Sequence, residues 1–215
     1  MIDPKILLPL SKEKFAEEMG LSGSLLQRFS EYRDLLEKWQ KRINLVSRST
    51  LPDLWRRHFL DSAQLLPMIP KSADTLVDLG SGAGFPGLVL ALLISEHGGP
   101  EVHLVEADGR KAAFLAEANR ILETGAVLHS RRIESITGLK ADVITARALS
   151  PLERLLNQAE RFMGAETTCL FLKGEKVSHE LTIARKQWTM TVTEVTSITH
   201  DLARILKLKD VKRVG

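Results

Sequence analysis

The stretch LVDLGSGAGFPGLVLALL, residues 76–93, limits the fold more than any other part of the chain. A hydrophobic run stops at an acid, Asp78. Glycines follow at positions 80, 82, 84 and 87, and an apolar segment of helical length comes next. Strand, glycine-rich loop and helix in that order open a doubly wound α/β sheet, where ligands sit beyond the carboxyl ends of the strands. Glycine lets such a loop turn tightly and come close to a ligand. The rest of the chain keeps the same rhythm. Strands are expected at 75–79, 102–106, 126–129, 142–146, 168–172, 189–195 and 204–208, with helices near 87–95, 110–124, 151–162 and 175–188. This alternation predicts an α/β, Rossmann-like, mainly parallel sheet. Only the polar turn SITHDLA separates the final two strands, so they are expected to pair antiparallel at one edge.

A different pattern precedes the sheet. Leu25, Phe29, Tyr32, Leu36, Trp39 and Ile43 recur at alternating steps of four and three, one stripe of a helix that Ser22 or Ser24 can cap. A second stripe, Leu51, Trp55, Phe59, Ser62 and Leu66, starts behind Ser49 and Thr50 with Pro52 in its first turn. These apolar residues read as core. The chain thus divides into an N-terminal helical segment, 1–70, packed on a catalytic domain, 71–215.

Composition removes several classes. With 44% hydrophobic and 27% charged residues among 215, a folded core is expected. No apolar run reaches the roughly 18 residues of a membrane span. MIDPKILLPLSKEKF lacks the features of a secretory leader. The single cysteine, Cys169, excludes an internal disulfide and suits a reducing cytoplasm. Net charge is only +3 but uneven. Lys38, Lys41, Arg42, Arg48, Arg56 and Arg57 face Asp53 alone, and Arg204, Lys207, Lys209, Lys212 and Arg213 face Asp210 alone. Such segments suit a polyanion, although a solvated helix face and a frayed basic tail are the commoner explanation for charge alone.

Two motifs overlap in the glycine loop. Gly82, Gly84 and Gly87 satisfy the dinucleotide pattern G-x-G-x-x-G, while Asp78, Gly80, Gly82 and Gly84 satisfy the methyltransferase pattern D-x-G-x-G-x-G. A pyrophosphate needs free N–H groups at the helix start and no carboxylate nearby. Pro86 removes one such N–H, and the Asp78 charge suits an amino or sulfonium cation, as in S-adenosylmethionine. Glu106, ending the second strand, can take both ribose hydroxyls of either cofactor. The only tyrosine, Tyr32, lies outside the sheet region, with no lysine four residues on. The six histidines show no metal spacing, and neither a phosphate-loop lysine motif nor a G-x-S-x-G elbow is present. An NAD-binding oxidoreductase or nucleotide-sensing module remains the alternative.

The methyl acceptor leaves its own traces. Enzymes acting on exocyclic amines usually carry [DN]-P-P-[FYW] after the fourth strand, where this chain has ITARALSPL, residues 144–152. Cys169 falls inside the fifth strand and reads as a small buried hydrophobe rather than a nucleophile. An acceptor that already has a lone pair, such as guanine N7, needs neither covalent activation nor a strong base. Transfer to it would be a direct in-line displacement that relies on alignment and preset electrostatics.

Taken together, INLVSRST (43–50), RHFLDSAQLLP (57–67), VDLGSGAGFPGL (77–88), VEADGRKAAFL (105–115), ITARALSPLERLL (144–156) and FLKGEKVSHEL (171–181) resemble the bacterial 16S ribosomal RNA guanine-N7 methyltransferases of the RsmG (GidB) type. The likeness covers nearly the whole chain. It implies a class I methyltransferase sheet, a cytoplasmic, metal-free, monomeric enzyme, S-adenosylmethionine as cofactor and the small ribosomal subunit or its RNA as partner. Carried over by position, Gly80, Gly82 and Gly84 meet the methionine part, Phe85 packs on the cofactor and Glu106 takes the ribose. Ile133 and Glu134 border the adenine, Ile133 standing where the family has a small residue. Arg147 lies beside the transferred methyl, where it can grip a carboxylate or an RNA phosphate; a helix-entry pairing with Glu153 is the structural alternative. The resemblance also favours RNA contact for Lys38, Lys41, Arg42, Arg48, Arg56 and Arg57. His58 is expected to be structural, and Asp61 to hold Arg57 at helical spacing.

Overall fold

The computed structural model describes residues 8–214. Residues 1–7 lie outside the described part, and with them much of the segment judged against a secretory leader. Seven strands form one sheet in the order β3-β2-β1-β4-β5-β7-β6. β1 (Thr75–Leu79), β2 (Glu101–Val105), β3 (Val127–His129), β4 (Ala141–Arg147) and β5 (Met163–Lys173) run parallel. β7 (Arg204–Arg213) lies antiparallel between β5 and β6 (Trp188–Thr196). The expected antiparallel pair at one edge is present. The basic segment 204–213 is not a frayed tail: its pairing with β6 runs from Arg204 to Arg213. Leu206 and Leu208 are buried on one face of that strand, and Arg213 pairs with Glu160 and lies over the Trp188 ring.

Helices cover both faces, so the central strands bury alternate residues in two cores. Leu76, Val143, Leu170 and Ile205 face the first core, with α1 (Lys12–Met19), α2 (Gly23–Gln40), α4 (Gly87–His97) and α5 (Gly109–Leu122). Val77, Ile144, Phe171 and Leu206 face the second, with α6 (Leu152–Ala159) and α7 (Val177–Ala184).

The N-terminal segment shares the first core rather than forming one of its own. Ser22 caps α2, its side chain accepting from Leu25 N, and Leu25, Phe29, Tyr32 and Leu36 are wholly buried. Phe29 and Phe59 meet edge to face at 5.3 Å, and Tyr32 stacks on Phe85 at 5.6 Å. Across the seam, Arg28 donates to the Leu122 and Glu123 carbonyls that end α5, and Trp39 Nε1 donates to Glu117. The second apolar stripe does not form one helix. It breaks into a 3-10 turn at Arg48–Asp53, a π-helical turn at Trp55–Leu60 and a short α-turn, α3, at Asp61–Ala63. Pro52 interrupts the first of these. The wide π-turn places His58 and Asp61 over the sheet end, where such turns are often functional.

Candidate active site

Two cavities lie beyond the carboxyl ends of the parallel strands, with Leu45, Arg147 and Ala148 as a common wall. The first, about 440 Å³, lies over the glycine loop. Of the expected cofactor residues, Gly80, Gly82, Phe85, Glu106, Ile133, Glu134 and Arg147 line it. Glu106 is 8% exposed. Its Oε2 accepts from Gly82 N at 2.8 Å and its Oε1 from Asp108 N at 2.7 Å, which fixes the carboxylate and leaves lone pairs for further donors. Gly82 has φ of +59°, and a Cβ there would meet only the Gly80 carbonyl oxygen, at 3.7 Å, so its backbone lies bare toward the ligand space. Gly80 is needed for packing as well, since a Cβ there would meet Leu149 at 2.5 Å.

Asp78 and Gly84 do not line the cavity, contrary to the expectation of ligand contact. Asp78 shares a sheet face with Leu76, and this face lies under α4. Its side chain is wholly buried, accepting from Thr145 Oγ1 at 2.8 Å and from Gly87 N at 3.2 Å. Burial pushes its carboxyl up to about 6, against the pull of those hydrogen bonds. A Cβ on Gly87 would meet the Asp78 side chain at 2.5 Å. The start of α4 is therefore already occupied by an internal carboxylate, leaving a pyrophosphate no free helix end there. Gly84 also faces inward, where a Cβ would overlap the Tyr32 hydroxyl.

Arg147 ends β4 and points to the same face as Thr145, toward the N-terminal segment. One of its terminal nitrogens donates to the Arg57 carbonyl at 3.0 Å and lies 3.3 Å from Asp61 Oδ2; the other donates to His58 Nδ1 at 2.7 Å. Its guanidinium lies 4.9 Å from the centre of the Phe85 ring. Burial lowers its pKa, and Asp61 opposes the shift. The Arg147–Glu153 alternative is not seen; Glu153 instead accepts from Gln187. The expected Arg57–Asp61 tie is replaced too, because Asp61 turns to Arg147 and takes further bonds from Gln64, Ser197 and Thr199.

His58 is buried and ordered by direction. Since Arg147 donates to Nδ1, the ring hydrogen sits on Nε2 and is given to Thr50 Oγ1 at 2.7 Å. The Thr50 hydroxyl then donates to the Ser47 carbonyl. Burial, with Arg147 and Arg57 nearby, lowers the His58 pKa to about 3. This relay fastens the 47–50 turn over the second cavity.

The second cavity, about 820 Å³, lies between that turn, the ends of β4 and β5, and the β6–β7 connection. Lys173, Glu180, Thr199 and His200 line it, and sequence reasoning assigned none of them a role. Their signal was present in part: Lys173 ends a parallel strand and belongs to FLKGEKVSHEL. Cys169 is wholly buried, its thiol pushed up to about 12 by desolvation, so it offers no nucleophile. Ala148 adopts φ of +52° between the two cavities, a strained turn that sets Leu149 against Gly80.

The basic residues divide. Lys41, Arg42 and Arg48 are exposed. Lys38 is also exposed, 3.9 Å from Glu117. Arg57 lines the second cavity. Arg56, expected to meet RNA, instead donates to the Leu8 carbonyl and lies 3.3 Å from Asp53, which anchors residues 8–10. Among the described residues no group of three or more His, Cys, Asp or Glu is placed to hold a metal, and no helix is long and apolar enough to cross a membrane.

This sheet order, with its cavity over a glycine loop, is the fold of the class I S-adenosylmethionine-dependent methyltransferases. A putative O-methyltransferase from Klebsiella pneumoniae superposes with a TM-score of 0.61 at 12% identity, over 94% of this chain and 97% of its own. A methyltransferase from Geobacter sulfurreducens gives 0.55 at 14%, over 95% and 98%. The particular family follows from sequence. The profile described as rRNA small subunit methyltransferase G matches residues 25–208. The ribosomal RNA small subunit methyltransferase G of Rhodospirillum rubrum is 52% identical over 95% of this chain and all of its own length, and that of Paramagnetospirillum magneticum is 50% identical over 95% and 98%. The chain belongs to the rRNA small subunit methyltransferase G family. Nothing in these comparisons supports the oxidoreductase alternative.

Proposed function

We propose that the chain transfers the methyl group of S-adenosylmethionine to N7 of one guanine in 16S ribosomal RNA, with the cofactor in the first cavity and the target base in the second. The observation that carries this reading is the common wall of Leu45, Arg147 and Ala148, which lets the two ligands meet. When bound, the cofactor supplies an electrophilic methyl carbon on a cationic sulfur. The donor set fits it: Glu106 provides a fixed carboxylate for a ribose, and Gly80 and Gly82 provide bare backbone. The protein's remaining tasks are alignment and exclusion of water. Guanine N7 already carries its lone pair, which agrees with buried Cys169 and a neutral, fully engaged His58: neither is free to activate an acceptor. Arg147, pinned on three sides, sets the boundary between the cavities and gives the site a fixed positive potential toward RNA. Lys41, Arg42, Arg48 and Arg57 complete the reading as phosphate contacts. The test is labelled methyl transfer to unmodified small subunits and to free 16S RNA, followed by mapping of the modified base. Label on any atom other than a guanine N7 would refute it.

A further inference from the structure

Lys173 and Glu180 form an ion pair at 2.8 Å in the wall of the second cavity, with side chains 8% and 21% exposed. The pair clamps the turn that follows Arg147. Lys173 Nζ donates to the Ser150 carbonyl at 2.7 Å, and Glu180 Oε2 accepts from Leu152 N at 2.8 Å. These contacts use one oxygen of Glu180 and two protons of Lys173. Oε1 and the third ammonium proton have no partner among the described residues. Asp61, the other carboxylate held firmly in this cavity, has both oxygens engaged, and Glu175 is exposed. A fixed donor beside a fixed, charged acceptor is therefore left without partners in a cavity otherwise built around Arg147.

We propose that this pair selects guanine, Lys173 donating to O6 and Glu180 Oε1 accepting from N1–H and the N2 amino group. The assignment rests on the reading that the second cavity takes the target base. Guanine presents O6, N1–H and N2–H₂ in a row, matching donor then acceptor. Adenine offers an amino donor where Lys173 needs an acceptor, and an N1 lone pair where Glu180 needs a donor. Both mismatches leave polar groups unpaired, the kind of error that gives strong discrimination. With that edge held by the β5–α7 wall, N7 is left to face Arg147 and Ala148, toward the first cavity.

Glu180→Gln is an informative variant because the clamp dictates its orientation. Leu152 N and Lys173 both need an acceptor, so the amide oxygen replaces Oε2 and the NH₂ replaces Oε1. The backbone tether stays, and the atom facing the base changes from acceptor to donor. The experiment uses small subunits carrying guanosine, inosine or 7-deazaguanosine at the mapped target. Inosine lacks only the N2 amino group, and 7-deazaguanosine lacks only N7. Wild-type kcat/KM is expected to fall about tenfold from guanosine to inosine, on the order of 1.4 kcal/mol. Glu180→Gln is expected to lose tenfold or more on guanosine, to treat guanosine and inosine alike, and to bind S-adenosylmethionine within about twofold of wild type. Equal losses by the variant on both bases would reduce Glu180 to a structural clamp and overturn the proposal. Wild type methylating inosine as fast as guanosine would also overturn it, with no variant needed. Methylation of the 7-deazaguanosine subunit is a separate failure: it would remove the N7 reading while leaving the inosine result to judge the pair.

Discussion

Arg147 and Asp61 meet at 3.3 Å, one from the end of the fourth strand and the other from the turn after the π-helix, with side chains only 17% and 14% exposed. The contact joins the N-terminal segment to the catalytic sheet at the boundary of the two cavities. Breaking a pair this buried strands the remaining charge, at a cost of about 3–5 kcal/mol. Arg147→Ala is expected to lose that much stability in urea denaturation and to slow methyl transfer at least about 100-fold. Asp61→Asn added to Arg147→Ala should recover much of the stability and none of the activity. Recovery of both would mean that Arg147 acts only as a fold element.

His58 should be neutral throughout the working pH range. Its folded pKa is about 3 against 6.5 for the unfolded chain. Folding favours the neutral ring, so this stabilising contribution is complete above about pH 6.5 and disappears as pH falls toward 3. NMR of the ring is expected to show the Nε2–H tautomer at every pH above about 4. A titration midpoint near 6.5 would contradict the Arg147-to-Nδ1 hydrogen bond.

Asp78 has the opposite sign. Its folded pKa of about 6 exceeds the unfolded 3.8. The protonated acid favours folding, so its contribution is complete below about pH 3.8 and lost as pH rises through 6. Asp78→Asn keeps an acceptor for Gly87 N and removes the titration. The stability of the variant relative to wild type should rise by about 2–3 kcal/mol between pH 3.8 and pH 7, read from denaturation midpoints across that range. A difference that does not change with pH would rule out a costly buried charge.

Glu106→Gln should weaken binding of S-adenosylmethionine by about 10- to 100-fold in calorimetry, the usual worth of charge-assisted hydrogen bonds. The loss should appear equally with the demethylated product, because the ribose is common to both. A loss confined to S-adenosylmethionine would place Glu106 near the sulfonium instead.

The exposed cations and the tethered one should separate in RNA binding. Lys41→Glu, Arg42→Glu and Arg48→Glu together are expected to weaken affinity for small subunits and flatten its salt dependence, by roughly 0.7–0.9 in log–log slope for each phosphate no longer neutralised. Arg56→Ala should instead lower stability and leave the slope unchanged, because its guanidinium is tied to Leu8 and Asp53.

The strand–loop–helix unit was legible because three independent signals agree at residues 75–97: an apolar run, closely spaced glycines and an apolar helix. The other parallel strands follow from their apolar runs alone: β1 matches to the residue, β2, β3 and β4 match within one residue at each end, and β5 begins at Met163 rather than Thr168 because its exposed first residues carry no apolar signal. A motif does not require each of its residues to touch the ligand, and Asp78 belongs to the motif while bonding only inside the protein. Its parity with Leu76 put it on the α4 face, a test that needs only the period of a strand. Residues 51–66 were hidden more deeply. Their stripe fits a regular helix, and the change to a wide turn is set by tertiary partners, Arg147 among them. Lys173 and Glu180 lie at and beyond the end of β5, in the same crevice, and no motif marks them in the sequence. The basic segments could not be sorted in sequence, since Arg56 differs from its neighbours only through contact with the backbone at Leu8.

The place of β7 sets the order in which the enzyme can be built. β6 hydrogen-bonds to the sheet only through β7, which is synthesised after it, so β6 has no strand to pair with as it leaves the ribosome. Ser197 and Thr199, the hydroxyls that hold Asp61, sit on the connection between these two strands. The nascent chain can therefore bring Arg147 to Asp61, His58 and the Arg57 carbonyl before these two hydroxyls arrive, and Asp61 gains its full set of donors only when the hairpin closes.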